Sequence, residues 1–292
     1  IFLLMSNNAT VIFADSRRLN GLLPKNSIDL VLTGPPYWNE IVYSDQEGQL
    51  SKIDNYSVFL GEISKVWQSS SVVLKEGGIL AIWAHDFLRK EGDDFMYIPF
   101  HLDLIKTIPS ILTLRCIRVW DRYLNKDRGP ITHITQGSRV QYILIFQKEG
   151  IGKNDDKIRE SVKMFHWQPV WYKKTTPKLL GSGLVFRFAF NLLKPPSNSI
   201  FNQFLKKFRI LKDDHEFSNY LTECPREVSD LIINLFSDKG DVVLDPFTGS
   251  GTTLRSALDL SRKPIGIEIN ENCADIISSK LSGQVIFKNK SV

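Results

Sequence analysis

One stretch constrains this chain more than any other. Residues 242–253 read Val-Val-Leu-Asp-Pro-Phe-Thr-Gly-Ser-Gly-Thr-Thr, an apolar run that ends on an acid, turns through two glycines and continues into helix-forming sequence. Gly249 and Gly251 permit backbone conformations and a close ligand approach that a Cβ would block. A second apolar run, Ile265-Gly266-Ile267, ends on Glu268, 23 positions after Asp245. Two strands each closed by an acid, with a glycine turn between them, form the pattern of a nucleoside-binding α/β half, where the second acid takes ribose hydroxyls. A P-loop needs Lys before its Ser/Thr, and a dinucleotide fingerprint needs GxGxxG, whereas this chain has GSGTTL. Asp245 would repel a phosphate and suits a cationic or amino-bearing ligand. A plain strand-to-helix turn is the bland alternative.

The remaining pattern is compatible with such a half. Short apolar runs at 11–14, 28–32, 79–84, 114–120 and 140–146 predict buried strands. Apolar residues at 56, 59, 60, 63, 66, 67 and 74 predict an amphipathic helix. After residue 214 the alternation resumes, with helices predicted at 225–236, 252–260 and 272–281 and strands at 242–244 and 264–267. The segment 150–214 breaks the rhythm with aromatics, Lys, Pro and Ser. From 146 to 212 it holds fourteen Lys or Arg against four acids, while the whole chain is only +5. A basic middle in an otherwise acidic chain points to a polyanion partner, or to a solvated insertion. The chain therefore reads as residues 1–149, an inserted lobe at 150–214, and residues 215–292.

Other classes are excluded or disfavoured. No run of 18 apolar residues predicts a membrane span. The opening Ile-Phe-Leu-Leu-Met has no basic leader or cleavage site and reads as an edge strand, or as part of a chain whose true start lies elsewhere, rather than a secretory signal. Cys116, Cys224 and Cys273 are too widely spaced for a disulfide framework or a zinc site, so no metal is expected, and the chain reads as intracellular, in a bacterial or archaeal cytoplasm or otherwise.

A second loop completes the picture. The strand at 28–32 runs into Thr33-Gly34-Pro35-Pro36-Tyr37-Trp38. Paired prolines stiffen the backbone and carry no N–H, leaving carbonyls free to accept. The neighbouring aromatic offers a stacking face to a base removed from a duplex. On its own this loop is equally a rigid surface turn. His85 and Asp86 follow the strand at 79–84 and either line a pocket or form a loop pair, while His133 and His215 read as surface residues.

DPFTGSGTT at 245–253 resembles the cofactor motif DPFxGxGTT of amino-methylating DNA methyltransferases, and Gly34-Pro35-Pro36-Tyr37 resembles their catalytic [Ser/Asp/Asn]-Pro-Pro-[Tyr/Phe/Trp] loop. Catalytic loop, basic lobe and then cofactor loop is the order of the beta class. Weaker similarities lie at 74–78, 119–121 and 142–148. The resemblance implies a Rossmann-like S-adenosylmethionine-dependent fold: a mostly parallel twisted sheet with helices on both faces and a small inserted recognition lobe. It further implies that Asp245, Phe247, Gly249, Gly251 and Thr252 surround the methionine moiety, aided by the segment Glu223-Cys224-Pro225. Glu268 would bind the ribose, with adenine near Ile269 and Asp15. Gly34, Pro35, Pro36 and Tyr37 would form the catalytic loop, Tyr37 stacking on the base. Double-stranded DNA is the implied partner, within a system such as restriction-modification. The many Phe residues of the lobe also allow a homodimer.

Gly34 departs from the family pattern, which there places a side chain that helps hold the base amino group. Thr33, Ser44 or Asp45 substitutes for it, or the chain is a weak or inactive relative, or the glycine was introduced. Family members with Ser first and Trp after Tyr usually modify cytosine, and those with Asp first usually modify adenine. Trp38 and Thr33 tilt the expectation to cytosine. RNA methylation and silent DNA binding are the remaining alternatives.

Overall fold

The computed structural model describes residues 8–40, 46–91, 93–121, 140–150, 170–172 and 224–289. All of these belong to one compact unit comprising Ile1–Tyr172 and Thr222–Val292; Lys173–Leu221 is a second unit. The expected edge strand at the start of the chain, Ser44, Asp45, His133, His215 and most of the lobe at 150–214 lie outside the described residues.

The unit is built on a sheet with the order β11-β1-β10-β9-β2-β3-β7-β6-β8. Its strands are β1 (Ala9–Phe13), β2 (Ile28–Thr33), β3 (Leu74–Ala84), β6 (Leu112–Asp121), β7 (Val140–Lys148), β8 (Val170–Tyr172), β9 (Val242–Asp245), β10 (Lys263–Glu268) and β11 (Val285–Asn289). Among these described strands only β7 runs against its neighbours. A separate hairpin pairs β4 (Phe87–Glu91) with β5 (Asp94–Ile98). Three residues of the expected lobe thus join the main sheet as β8, beside β6.

Strand residues alternate between two apolar layers, the period-2 signature of a sheet covered on both faces. On one face Ile12, Leu80, Ile82, Leu144, Phe146, Leu244 and Ile267 share a core with Phe59, Ile63 and Trp67 of α2 (Tyr56–Val73) and with Phe100 and Leu104 of α3 (Phe100–Thr107). The one-turn α1 (Leu19–Leu22) adds Leu19 to this layer. On the other face Ala9 and Val11 pack with Leu254 of α5 (Thr252–Asp259) and with Ile277 of α6 (Ala274–Lys280). Before them α4 (Arg226–Phe236) packs on α5 and β2.

The start of α2 falls where the sequence places it, whereas the start of β3 does not. Asn55 caps α2 by accepting the N–H of Val58 at 3.0 Å, as short polar residues do before a first turn. At its other end the helix passes straight into β3 at Leu74, ahead of the strand expected at 79–84, so Gly77 and Gly78 lie inside the strand. Gly77 there has φ +67, beside the register shift between Ile28 and Leu30 of β2.

The chain order reverses between β9 and β2. From β9 the sheet proceeds through β10, β1 and β11, whereas from β2 it proceeds through β3, β7, β6 and β8. Open α/β sheets bind ligands beyond the carboxyl ends of strands at such a point. The seam has two registered backbone pairs, Leu30 with Val243 and Val31 with Leu244. Asp29 reinforces it at the amino end, accepting Val242 N at 2.9 Å and Lys75 Nζ at 2.7 Å.

Candidate active site

Asp245 closes β9 at the switch point and is 4% exposed. Its Oδ1 accepts the Thr33 hydroxyl at 2.7 Å and the Phe247 N–H at 3.1 Å, and Thr253 adds a side-chain bond. Burial outweighs these bonds and pushes its carboxyl up to about 6. Among the described residues no basic side chain forms an ion pair with it. With no counter-ion among the described residues, this buried carboxylate sits in an environment that favours a cationic ligand over an anionic one.

The glycine turn is held from three sides. Gly251, at φ +90, heads α5 and donates to Thr248 O at 2.9 Å. Gly249, at φ +52, donates its N–H to Glu268 Oε2 at 2.8 Å, and Asn270 N donates to Oε1 at 2.9 Å. Burial pushes the Glu268 carboxyl up, these backbone bonds pull it down, and the charge of Asp245 adds to the rise. Gly266 of β10 is the tightest point, because a Cβ there would lie 2.3 Å from Thr248 Oγ1 and 2.8 Å from Leu254 Cδ1. Lys280 of α6 reaches back to Ser250 Oγ at 2.7 Å and Thr252 Oγ1 at 2.8 Å. Sequence reasoning missed both Lys280 and the packing role of Gly266. Nothing local signals a lysine contact made across 28 residues.

The residues expected around adenine also come together. Asp15 follows β1, whose extension bonds to β10 through Ala14 N and Glu268 O at 2.9 Å. Its carboxylate accepts the Arg17 N–H at 2.9 Å and the guanidinium Nε at 2.9 Å. Burial opposes ionisation of Asp15, but Arg17 outweighs it and holds the carboxyl below its ordinary value. Arg17 also pairs with Glu62. Ile269 Cδ1 lies 3.0 Å, and Arg17 Nη2 3.7 Å, from where a Cβ on Gly48 would stand. Gly48 has φ +87, so the loop after the described part of the catalytic segment returns onto this region with a conformation suited to glycine. Phe247 meets Trp67 edge-on at 6.3 Å. Pro225 opens α4 and accepts Val228 N at 2.9 Å, while Glu223 lies outside the described residues.

The proline loop expected to be catalytic leaves β2 directly beside this turn. Thr33 is 1% exposed and its hydroxyl donates to Asp245, so it ties the two loops together rather than standing in for the side chain missing at position 34. Gly34 has space around it: a Cβ there would meet only Trp83 O at 3.5 Å and Trp83 Cδ1 at 3.7 Å, ordinary contacts. Pro35 is buried and Pro36 half-buried. Tyr37 is 1% exposed, its ring against His85 at 4.0 Å, Phe100 at 5.7 Å and Phe87 at 6.2 Å. Stacking a base on Tyr37 therefore requires His85 to give way. Trp38 is an anchor, its Nε1 donating to Ile53 O at 2.7 Å and its ring lying 3.8 Å beneath the Arg89 guanidinium. Asp86 is 2% exposed. It accepts His101 Nδ1 at 2.6 Å, His101 N at 3.1 Å and the Tyr97 hydroxyl, fixing the start of α3 and the β4–β5 hairpin.

An α/β sheet with acid-ended strands, a glycine turn and a proline-paired loop meeting at one switch point has the architecture of a Rossmann-like methyltransferase. The chain belongs to the DNA methylase family of N6- and N4-amino-methylating enzymes, whose model matches residues 28–279. S-adenosylmethionine is that family's cofactor, and DNA its substrate.

Related sequences include the type II methyltransferase M.MjaI of Methanocaldococcus jannaschii, 27% identical over 95% of this chain and 92% of that protein. The DNA adenine methyltransferase YhdJ of Escherichia coli is 27% identical over 89% and 78%. Among solved structures, a Thermus thermophilus chain assigned as a DNA modification methylase and solved with S-adenosyl-L-methionine has a TM-score of 0.62, at 21% identity over 97% of this chain and 99% of that one. The PvuII cytosine-N4-specific DNA methyltransferase has a TM-score of 0.57, at 17% identity over 97% and 95%. Among the described residues no helix is long and apolar enough to cross a membrane, and no cluster of His, Cys, Asp or Glu could hold a metal ion.

Proposed function

We propose that the chain transfers a methyl group to the exocyclic amino group of a cytosine turned out of duplex DNA. The observation that carries this reading is the 2.7 Å bond from Thr33 to Asp245, which fixes the catalytic loop against the cofactor turn. Two loops 212 residues apart thereby share one edge of the sheet. The charge of Asp245, which no described basic side chain pairs, suits the amino-acid end of S-adenosylmethionine, and Glu268, after exchanging one backbone partner, suits the ribose. When bound, that cofactor supplies an electrophilic methyl on a sulfonium centre.

The protein's own part is positional. The Pro35 carbonyl accepts a hydrogen bond from the base amino group, drawing its lone pair out of the ring and aligning it for in-line attack. Cytosine is favoured over adenine by the family pattern in which Trp38 follows Tyr37, Trp38 setting the loop rather than touching the base. The basic segment at 150–214 would supply phosphate contacts and sequence reading. A second reading rests on Gly34: without a side chain there, one of two holds on the amino group is missing, and the chain is a slow or silent member of its family.

Incubation with labelled S-adenosylmethionine and mixed-sequence duplex DNA, then nucleoside analysis, tests this. N4-labelled cytosine is expected, and Gly34→Ser should raise the rate about 100-fold, since a Cβ fits without displacement. Labelled adenine, or rescue by Gly34→Asp alone, would reassign the base. No transfer by any version that still binds cofactor would end the enzymatic reading.

A further inference from the structure

We propose that Gln141 reads the ring edge of the target base from the side of the pocket opposite the Pro35 carbonyl, an assignment that rests on the base-methylation reading above. A side chain at position 34 would point at Trp83, whose carbonyl and indole Cδ1 are its nearest neighbours. Trp83 is in register with Ile143 of β7, which is in turn in register with Arg118 of β6. Gln141 lies two residues from Ile143 and so projects from the same face. Because β7 is antiparallel, its first residues stand at the carboxyl edge of β3, the edge that carries the catalytic loop. Gln141 is in register with Trp120, and the Trp83 and Trp120 rings meet at 6.5 Å. Gly34, Trp83, Trp120 and Gln141 thus share one face and one edge.

Gln141 is 1% exposed, yet neither its Oε1 nor its Nε2 has a hydrogen-bond partner among the described residues. Trp83 Nε1 is in the same condition. Native proteins rarely leave both ends of a buried carboxamide unmet, and a ligand that completes the bonds is one reason they do. A carboxamide presents an acceptor and a donor side by side, which is how amide side chains pair with two adjacent atoms on a base edge. Counting two strand spacings and two residues along the strand, Gly34 and Gln141 lie about 12 Å apart at Cα. One glutamine side chain and one base, held at its other side by Pro35, fill that span. Trp83 would form the floor, its indole N–H a further donor.

Gln141→Met keeps length and volume while removing both polar ends, with Gln141→Leu as a second apolar variant should Met misfold. Both are made in the native chain and in Gly34→Ser. Expected is a melting temperature equal to or above the parent's without ligand, unchanged S-adenosylhomocysteine binding, and methyl transfer to mixed-sequence duplex DNA reduced about tenfold or more. If neither parent transfers, a mixed-sequence single-stranded oligonucleotide titrated with S-adenosylhomocysteine present replaces that measurement, and its affinity should fall likewise. A lowered melting temperature with unchanged transfer, or unchanged oligonucleotide affinity, would show a packing role and overturn the assignment. Failure of the parent to bind S-adenosylhomocysteine is read separately and would remove the methyltransferase reading itself, and Gln141's role with it.

Discussion

Replacing Asp245 by Asn should strengthen the empty protein and weaken its hold on the cofactor. Burial raises this carboxyl from an ordinary 3.8 to about 6, so the fold disfavours its charged form by about 3 kcal/mol at 1.36 kcal/mol per unit. The folded state consequently holds a proton between pH 4 and 6 that the unfolded chain has released. Stability without cofactor therefore falls as pH rises through that window and is level above it. Asn resembles the neutral form and can still accept from Thr33 and Phe247, so the variant should lack this fall. At pH 8 it should melt up to about 5 °C higher. Its affinity for S-adenosylhomocysteine should drop about tenfold to 100-fold, the loss expected for a hydrogen bond to a charged group. In the parent, the same affinity should weaken as pH falls below about 6. Melting curves from pH 4.5 to 8 and calorimetric titration measure both quantities. An Asn variant that melts lower than the parent at pH 8, or binds S-adenosylhomocysteine equally well, would refute the reasoning.

Three other perturbations follow from the same contacts. Thr33→Val removes a bond that lowers the Asp245 carboxyl, so the pH below which cofactor binding weakens should move upward in a titration series. Gly266→Ala forces a methyl group against Thr248 and Leu254 and should cost about 1–3 kcal/mol in denaturant unfolding. Trp38→Phe leaves Ile53 O without its indole donor and should lower stability by about 1–3 kcal/mol in denaturant unfolding.

The cofactor half was readable because its signals are local. The strands at 242–244 and 264–267 and the helices at 225–236 and 252–260 each came within a residue of their bounds, since glycine and acid positions punctuate them. The β4–β5 hairpin and α3 were missed, because charge and aromatics there mask any period and Asp86 holds them from outside. Strand β11 was missed because it alternates half-buried and exposed residues at the sheet's edge. At the site, proximity could not be read. That Thr33 serves Asp245, that Tyr37 is packed rather than offered, and that Gln141 shares a face with Gly34 all depend on strand register, which no stretch of sequence contains.

The β2–β9 seam has a consequence for how the molecule comes into being. Its partners are separated by more than 200 positions, Thr33 with Asp245 and Asp29 with Val242, so closing it requires contacts of very high sequence separation. Such contacts form slowly, and domains emerge from synthesis amino end first. Strands β2 and β3 can pair early, but the edge that brings the proline loop beside the glycine turn does not exist until β9 has been made and inserted at the middle of the sheet. A growing chain therefore carries its proline loop through most of its synthesis with no glycine turn beside it, and the two meet in one late step.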